Sequence, residues 1–269
     1  MNRGLLLRAF RESWATTLGF GLVLLGVEAA LTFVLTKFGA QISEQLLDFE
    51  RRIIQAMLGA EVSDRIGPQM LQSIAWVHPV VLALLLGHAM ISCTRVPVAE
   101  VDRGTVDVLL SLPISRWELF LSETFVWLAS GAAVLAAAFA GNFLGSLELV
   151  PEQRVAASRV LVVWLNLFCL YFAVGGFTWL LSSLSNRRGR AMTTVFLVFL
   201  GFFLLNYLAQ FWQPLERFVF LSPLHYHRPF MVLMSGIWPW QDMAILIGIG
   251  GVLWLTAGFI FSRRDLCTV

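Results

Sequence analysis

Six apolar runs, each about twenty residues long or longer, constrain this chain more than any other feature. A hydrocarbon layer about 30 Å thick is crossed by about 20 residues of α-helix rising 1.5 Å each. The runs lie at Ala15 to Thr36, Leu71 to Cys93, Trp117 to Gly145, Val160 to Leu184, Met192 to Trp212 and Met243 to Phe261. Backbone amides in lipid must find partners within their own segment, so runs of this length predict spanning helices. The expected fold is an all-α membrane protein with one membrane domain over residues 1–269. Its composition agrees: 58% of residues are hydrophobic and 13% charged, against about 45–50% and about 25% in soluble domains. The connections are too short to hold a soluble catalytic domain.

The net charge of +2 excludes a nucleic-acid surface as a reading, because the arginines cluster beside apolar runs where lipid headgroups lie. Arg3, Arg8 and Arg11, then Arg95, Arg103 and Arg116, then Arg187, Arg188 and Arg190, and finally Arg263 and Arg264 all fall on one side of a six-span topology. The positive-inside rule makes that side cytoplasmic, with both termini there. The expected location is a cell membrane, the bacterial cytoplasmic membrane, crossed several times. The first apolar run is too long for a signal-peptide core and lacks a small-residue cleavage site, so the N-terminus is expected to be retained. Cys93, Cys169 and Cys267 form no C-x-x-C pair and indicate neither a disulfide framework nor a zinc site.

Three stretches outside the spans carry patterns of their own. Over residues 1–14, Leu7, Phe10 and Trp14 share a helical face opposite Arg8, Arg11 and Glu12, which predicts an interfacial helix leading into the first span. Between spans one and two, Ile42, Leu46, Phe49, Ile53 and Met57 recur at helical steps. That helix would rest on the outer surface or a partner, or cover its own bundle. From Gln213 to Trp240 the apolar sequence is interrupted by Pro214, Pro223, Pro229 and Pro239, which predicts a re-entrant or interfacial hairpin rather than a span.

The connection over residues 98–116 is the most distinctive. Val106, Leu109 and Leu110 share a face, Gly104 and Thr105 suit a helix start, and Pro113 stops the helix after one or two turns. Ser115-Arg116-Trp117-Glu118 then matches a capping box at the head of the third span. A short apolar helix held by a rigid corner is one reading; a well-capped loop is the other.

Glu100, Arg103-Gly104-Thr105, Leu109-Leu110-Ser111, Pro113 and Ser115-Arg116 form the run E-x-x-x-G-T-x-x-x-L-L-S-x-P-x-S-R. Here the chain resembles the type-2 permeases of ATP-binding cassette exporters, which carry such a run after their second span. The resemblance extends to the N-terminal helix, the six spans and the cytoplasmic turn Ser185 to Arg190. It implies that 98–116 is the coupling helix docking on a separate ATPase, with Arg187, Arg188 and Arg190 as a second cytoplasmic contact. It also implies a dimer with a second, identical or homologous permease subunit, and export from the cytoplasm. ATP and Mg would be bound by the partner ATPase, with no cofactor on this chain. The first outer loop is short compared with relatives that carry a large soluble outer domain.

Other function classes lack their core groups. Lys37, the single lysine, lies between Thr36 and Phe38 and cannot end a P-loop. H-E-x-x-H, G-x-S-x-G and T-V-G-Y-G are absent, which removes the support for a zinc protease, a serine hydrolase or a potassium-type channel. His225 and His227 flank Tyr226 without a carboxylate pair to complete a metal site. Within the spans, Glu28 is read as the acidic residue deep in an apolar run. Counting along helices sets it at the depth of His78, so the two are expected to pair on a translocation path or as a structural polar pair. His88, Asn166 and Asn206 read as packing groups. Spans rich in Phe, Leu and Trp favour a hydrophobic or amphipathic cargo over a small ion.

Overall fold

The computed structural model describes residues 3–45, 67–105, 111 and 114–264, with the side chains of 39–45 and 68 outside that description. The outer amphipathic helix expected over 42–58 lies outside it from residue 46 on, as do Leu109, Leu110 and Pro113. Six helices among the described residues are long and apolar enough to cross a membrane.

The first, α1 (Arg3–Gln45), has 43 residues and spans about 65 Å. That is about twice the hydrocarbon thickness, so its ends stand beyond the lipid. The interfacial segment expected over 1–14 forms the first turns of α1 and runs into the span without a break. Leu7, Phe10 and Trp14 are exposed there, while Leu5 and Ala9 are buried against the rest of the chain.

The second span is two helices, α2 (Pro68–Val77) and α3 (Pro79–Cys93). Pro79 has no N–H to continue α2 and restricts His78 to an extended conformation, φ −59° and ψ 132°. His78 therefore caps α3, its Nδ1 accepting from the Val80 N–H at 3.3 Å. The apolar run Leu71 to Cys93 thus lies in one candidate span made of two helices that meet at His78.

The remaining spans are α4 (Arg116–Leu147), α5 (Ala157–Leu184), α6 (Arg188–Ala209) and α8 (Trp240–Arg263). The most extensive contacts join α1 to α4 and α5 to α8. Close approach of α1 and α4 depends on Gly141, where a Cβ would lie 2.2 Å from the Leu25 carbonyl oxygen. At the next residue, the Asn142 amide donates to Thr32 Oγ1 at 2.7 Å, a bond that helps join two helices where lipid offers no hydrophobic drive.

Between α6 and α8 the prolines act as helix starts. Pro214, Pro223 and Pro229 each stand in the first turn of a short helical piece, the longest being α7 (Pro229–Ser235). This connection is held by the buried His227 ring, whose Nδ1 lies 2.7 Å from Asn166 Oδ1 and whose Nε2 lies 3.3 Å from the Trp76 carbonyl.

Candidate functional site

The site is built where α3 ends. After Thr94 the backbone forms a wide turn over Arg95–Ala99, kinked at Val96 and closed by the Ala99 N–H on the Thr94 carbonyl at 3.2 Å, followed by a single helical turn, Glu100–Asp102. Gly104 closes it with φ +71°, a left-handed conformation that costs glycine nothing and a residue with a Cβ about 1–2 kcal/mol. The Thr105 N–H then returns to the Glu100 carbonyl at 3.0 Å. At the far end Ser115 Oγ accepts from the Glu118 N–H at 3.1 Å, and Glu118 Oε2 accepts from the Ser115 N–H at 3.2 Å. Both bonds of the expected capping box are formed.

Glu100 is buried, 6% exposed. Its Oε1 accepts from Arg8 Nη2 at 3.0 Å and its Oε2 from the Thr105 hydroxyl. Arg8 also donates through Nε to Glu12 at 2.8 Å. Beside this pair Arg95 reaches three groups: the Ala9 carbonyl at 2.9 Å, Glu12 Oε2 at 3.0 Å, and the carboxylate of Glu123 on α4. Arg95 and Glu123 are 15% and 5% exposed. A buried ion pair of this kind adds little net stability over an apolar filling, but it fixes one arrangement because losing either partner strands a charge.

Two further ties hold neighbouring segments. The Arg188 N–H reaches Asp102 Oδ2 at 3.3 Å, while its side chain donates to Thr94 Oγ1 and the Ile91 carbonyl, each at 3.2 Å. Arg116 donates to the carbonyls of Phe261 and Arg264, clamping the end of α8. Arg264 in turn donates to the Ser183 carbonyl at 2.6 Å and to Asn186. The 95–118 connection is thus mounted on α1, α4, α6 and α8 together.

The expected site residues divide accordingly. Glu100, Gly104, Thr105, Ser115 and Arg116 form the mount. Arg103, Ser111, Arg187 and Arg190 are exposed on the same side, and Arg188 is bound within the chain.

Arg8, Glu12, Arg95 and Glu123 were not identified as site residues from sequence. Glu123 offered a signal: a carboxylate two turns into an apolar run needs a cationic partner.

Glu28 and His78 are not brought together. Glu28 is fully buried, and neither carboxylate oxygen has a hydrogen-bond partner among the described residues. His78 is half-buried at the α2–α3 break, where it serves as a cap. The depth count from Cys93 runs along α3, which is unbroken up to its His78 cap; a shared depth does not turn two side chains toward each other, and His78 spends Nδ1 on the cap.

At the opposite end, His225 Nε2 lies 2.7 Å from Arg228 Nη2. The neighbouring guanidinium adds to partial burial in holding the imidazole below its ordinary pKa, with burial the larger cause. Among the described residues no group of three or more His, Cys, Asp or Glu is placed to hold a metal ion.

A family model described as ABC-2 family transporter protein matches residues 7–266. No curated protein matches the chain. Nearly the whole sequence is covered by the match, including all six apolar helices and the mounted connection, and the chain therefore belongs to the ABC-2 family as a multi-pass transport permease.

Proposed function

We propose that this chain is the membrane-spanning subunit of an exporter for a hydrophobic or amphipathic substrate, driven by a separate ATPase that docks on residues 98–116. Membership of the family implies ATP-binding cassette ATPase partners. Six spans are half of the usual twelve, so a second permease subunit, identical or homologous, completes the pathway. Both termini and the 98–116 connection face the cytoplasm of a bacterial cell, as the arginine distribution favours.

The observation that carries the reading is the buried attachment of Glu100 to Arg8. A docking turn transmits force only if its base is rigid. Here the base is tied by charge-assisted hydrogen bonds to α1, and Arg95 beside it to α4. Arg103 remains exposed on this side.

A Ser111→Cys variant with the partner ATPase coexpressed tests this. A thiol crosslinker should join the two subunits, and membrane-impermeant reagents should not reach the thiol in sealed cells. Labelling from outside would reverse the orientation, and absence of a crosslink under conditions where the complex hydrolyses ATP would contradict the docking.

A further inference from the structure

Along α1 a buried stripe recurs at four-residue steps: Leu24, Glu28, Thr32 and Thr36, each at most 2% exposed. Three of its four members are polar, inside a run otherwise apolar. The backbones of α1 and α4 approach closely just before and just after Glu28. A Cβ at Gly141 would lie 2.2 Å from the Leu25 carbonyl oxygen, and one at Gly145 would lie 2.4 Å from that of Ala29. Thr32 Oγ1 accepts from Asn142 at 2.7 Å. Thr36 Oγ1 and both Glu28 carboxylate oxygens are buried with no hydrogen-bond partner among the described residues.

No cation is placed to answer this carboxylate. Salt bridges among the described residues do not include Glu28. The helices packed against α1 are α2, α3 and α4. Within α2 there is no titratable side chain, and α4 has none beyond Glu123. His88 of α3 meets the Tyr171 hydroxyl at 2.9 Å and packs edge-on to Phe20, two turns toward the N-terminus from Glu28. Cys93 stands at the end of α3, His78 caps its start, and His227 is held by Asn166 and the Trp76 carbonyl. The flanking charges on α1 itself are Glu12 and Lys37, the latter over the Phe33 ring at 4.7 Å.

An ionised carboxylate in hydrocarbon with neither cation nor donor is costly, and such groups pair, line water or become neutral. A hard metal cation takes about six oxygen ligands, whereas the oxygens of Glu28, Thr32 and Thr36 are spread over about 12 Å of helix. A proton neutralises the group without needing more room. We infer that Glu28 is a proton-binding site, reached from the Thr36 end of α1, and that its acid form is the one that lets α1 and α4 close. Thr32 and Thr36 follow it at steps of about 6 Å, and a hydroxyl both donates and accepts, so the two can relay the proton through intervening water when the seam opens. The inference goes beyond the exporter reading, because proton binding needs neither cargo nor ATPase.

The test uses the full chain alone in nanodiscs. Infrared spectra at neutral pH should show the carbonyl stretch of a protonated carboxylic acid, and Glu28→Gln should abolish that band while a thermal melt shows the fold retained. A second measurement needs no variant. Dicyclohexylcarbodiimide partitions into lipid and reacts with a carboxyl that carries its proton; peptide mapping should place its adduct on Glu28 at neutral pH, declining as pH rises and unchanged by sodium. Thr36→Val should slow deuterium exchange of the acid band from D2O without altering the band itself. Loss of a carboxylate band instead of an acid band in Glu28→Gln would overturn the proposal, as would labelling indifferent to pH. Protection of Glu28 by sodium at fixed pH would overturn it in favour of a metal cation, and exchange unaffected by Thr36→Val would overturn access from that end.

Discussion

The Glu100 carboxylate accepts a hydrogen bond from the Arg8 guanidinium at 3.0 Å, joining residues 92 positions apart at the base of the 98–116 connection. Sequence reasoning put Glu100 and Arg103 in one run, either to orient the turn or to meet charged groups on a partner, and the structure distinguishes them: Glu100 is buried and Arg103 exposed. Glu100→Ala should therefore uncouple ATP hydrolysis from substrate and lower stability by about 1–3 kcal/mol, because it strands Arg8 and Thr105. Arg103→Ala should leave stability within about 0.5 kcal/mol. Thermal melts and substrate-stimulated hydrolysis of both variants in nanodiscs check the contrast; equal effects would contradict it.

The Arg95–Glu123 pair predicts a different signature. Either Arg95→Ala or Glu123→Ala alone leaves a buried charge and should cost about 3–5 kcal/mol. The double replacement Arg95→Met with Glu123→Leu should recover most of that loss in a thermal melt, since no charge is then stranded. Recovery of coupling would be incomplete, because Glu12 and the Ala9 carbonyl also lose Arg95.

How much of this was legible depended on the range of the interaction. The six spans follow from runs of apolar residues, and the Ser115–Glu118 box from a spacing of three; both are local. Glu100's burial and the Arg95–Glu123 pair depend on α1 and α4 standing beside the connection, and no local pattern contains that. The Glu28–His78 pairing did not form because counting along two helices gives depth and not the direction each side chain takes, while His78's role as a cap was readable from Pro79. The interrupted 213–239 connection was legible from its prolines, whereas the His227–Asn166 contact within it was not.

Acidification gives a third prediction. Partial burial, together with the cationic guanidinium that donates to it, holds His225 neutral in the folded chain, with a pKa below the value of about 6.5 that it takes when unfolded. Its contribution to stability is complete above about pH 6.5. Below that the unfolded state takes up the proton first, and the contribution falls as pH drops toward the folded pKa. Melting temperature measured between pH 7.5 and 5 should decline on the acid side, and His225→Gln should flatten that decline. A wild-type profile matched by the variant throughout would remove His225 as the cause.

The central claim is that an ATPase docks on the 98–116 connection. On that proposal Leu109, in the L-L-S stretch, is expected to make the contact, and burying a leucine side chain contributes about 1.5–3 kcal/mol. Leu109→Asp lies outside the hydrocarbon and should express and melt like wild type. Ser115→Ala, which removes only a cap, should cost about 0.5–2 kcal/mol and couple better than Leu109→Asp. The most direct measurement is copurification of the ATPase with Leu109→Asp permease, together with substrate-stimulated ATP hydrolysis in nanodiscs. The account predicts loss of both with permease yield unchanged; a variant that retains the ATPase and couples like wild type would contradict it.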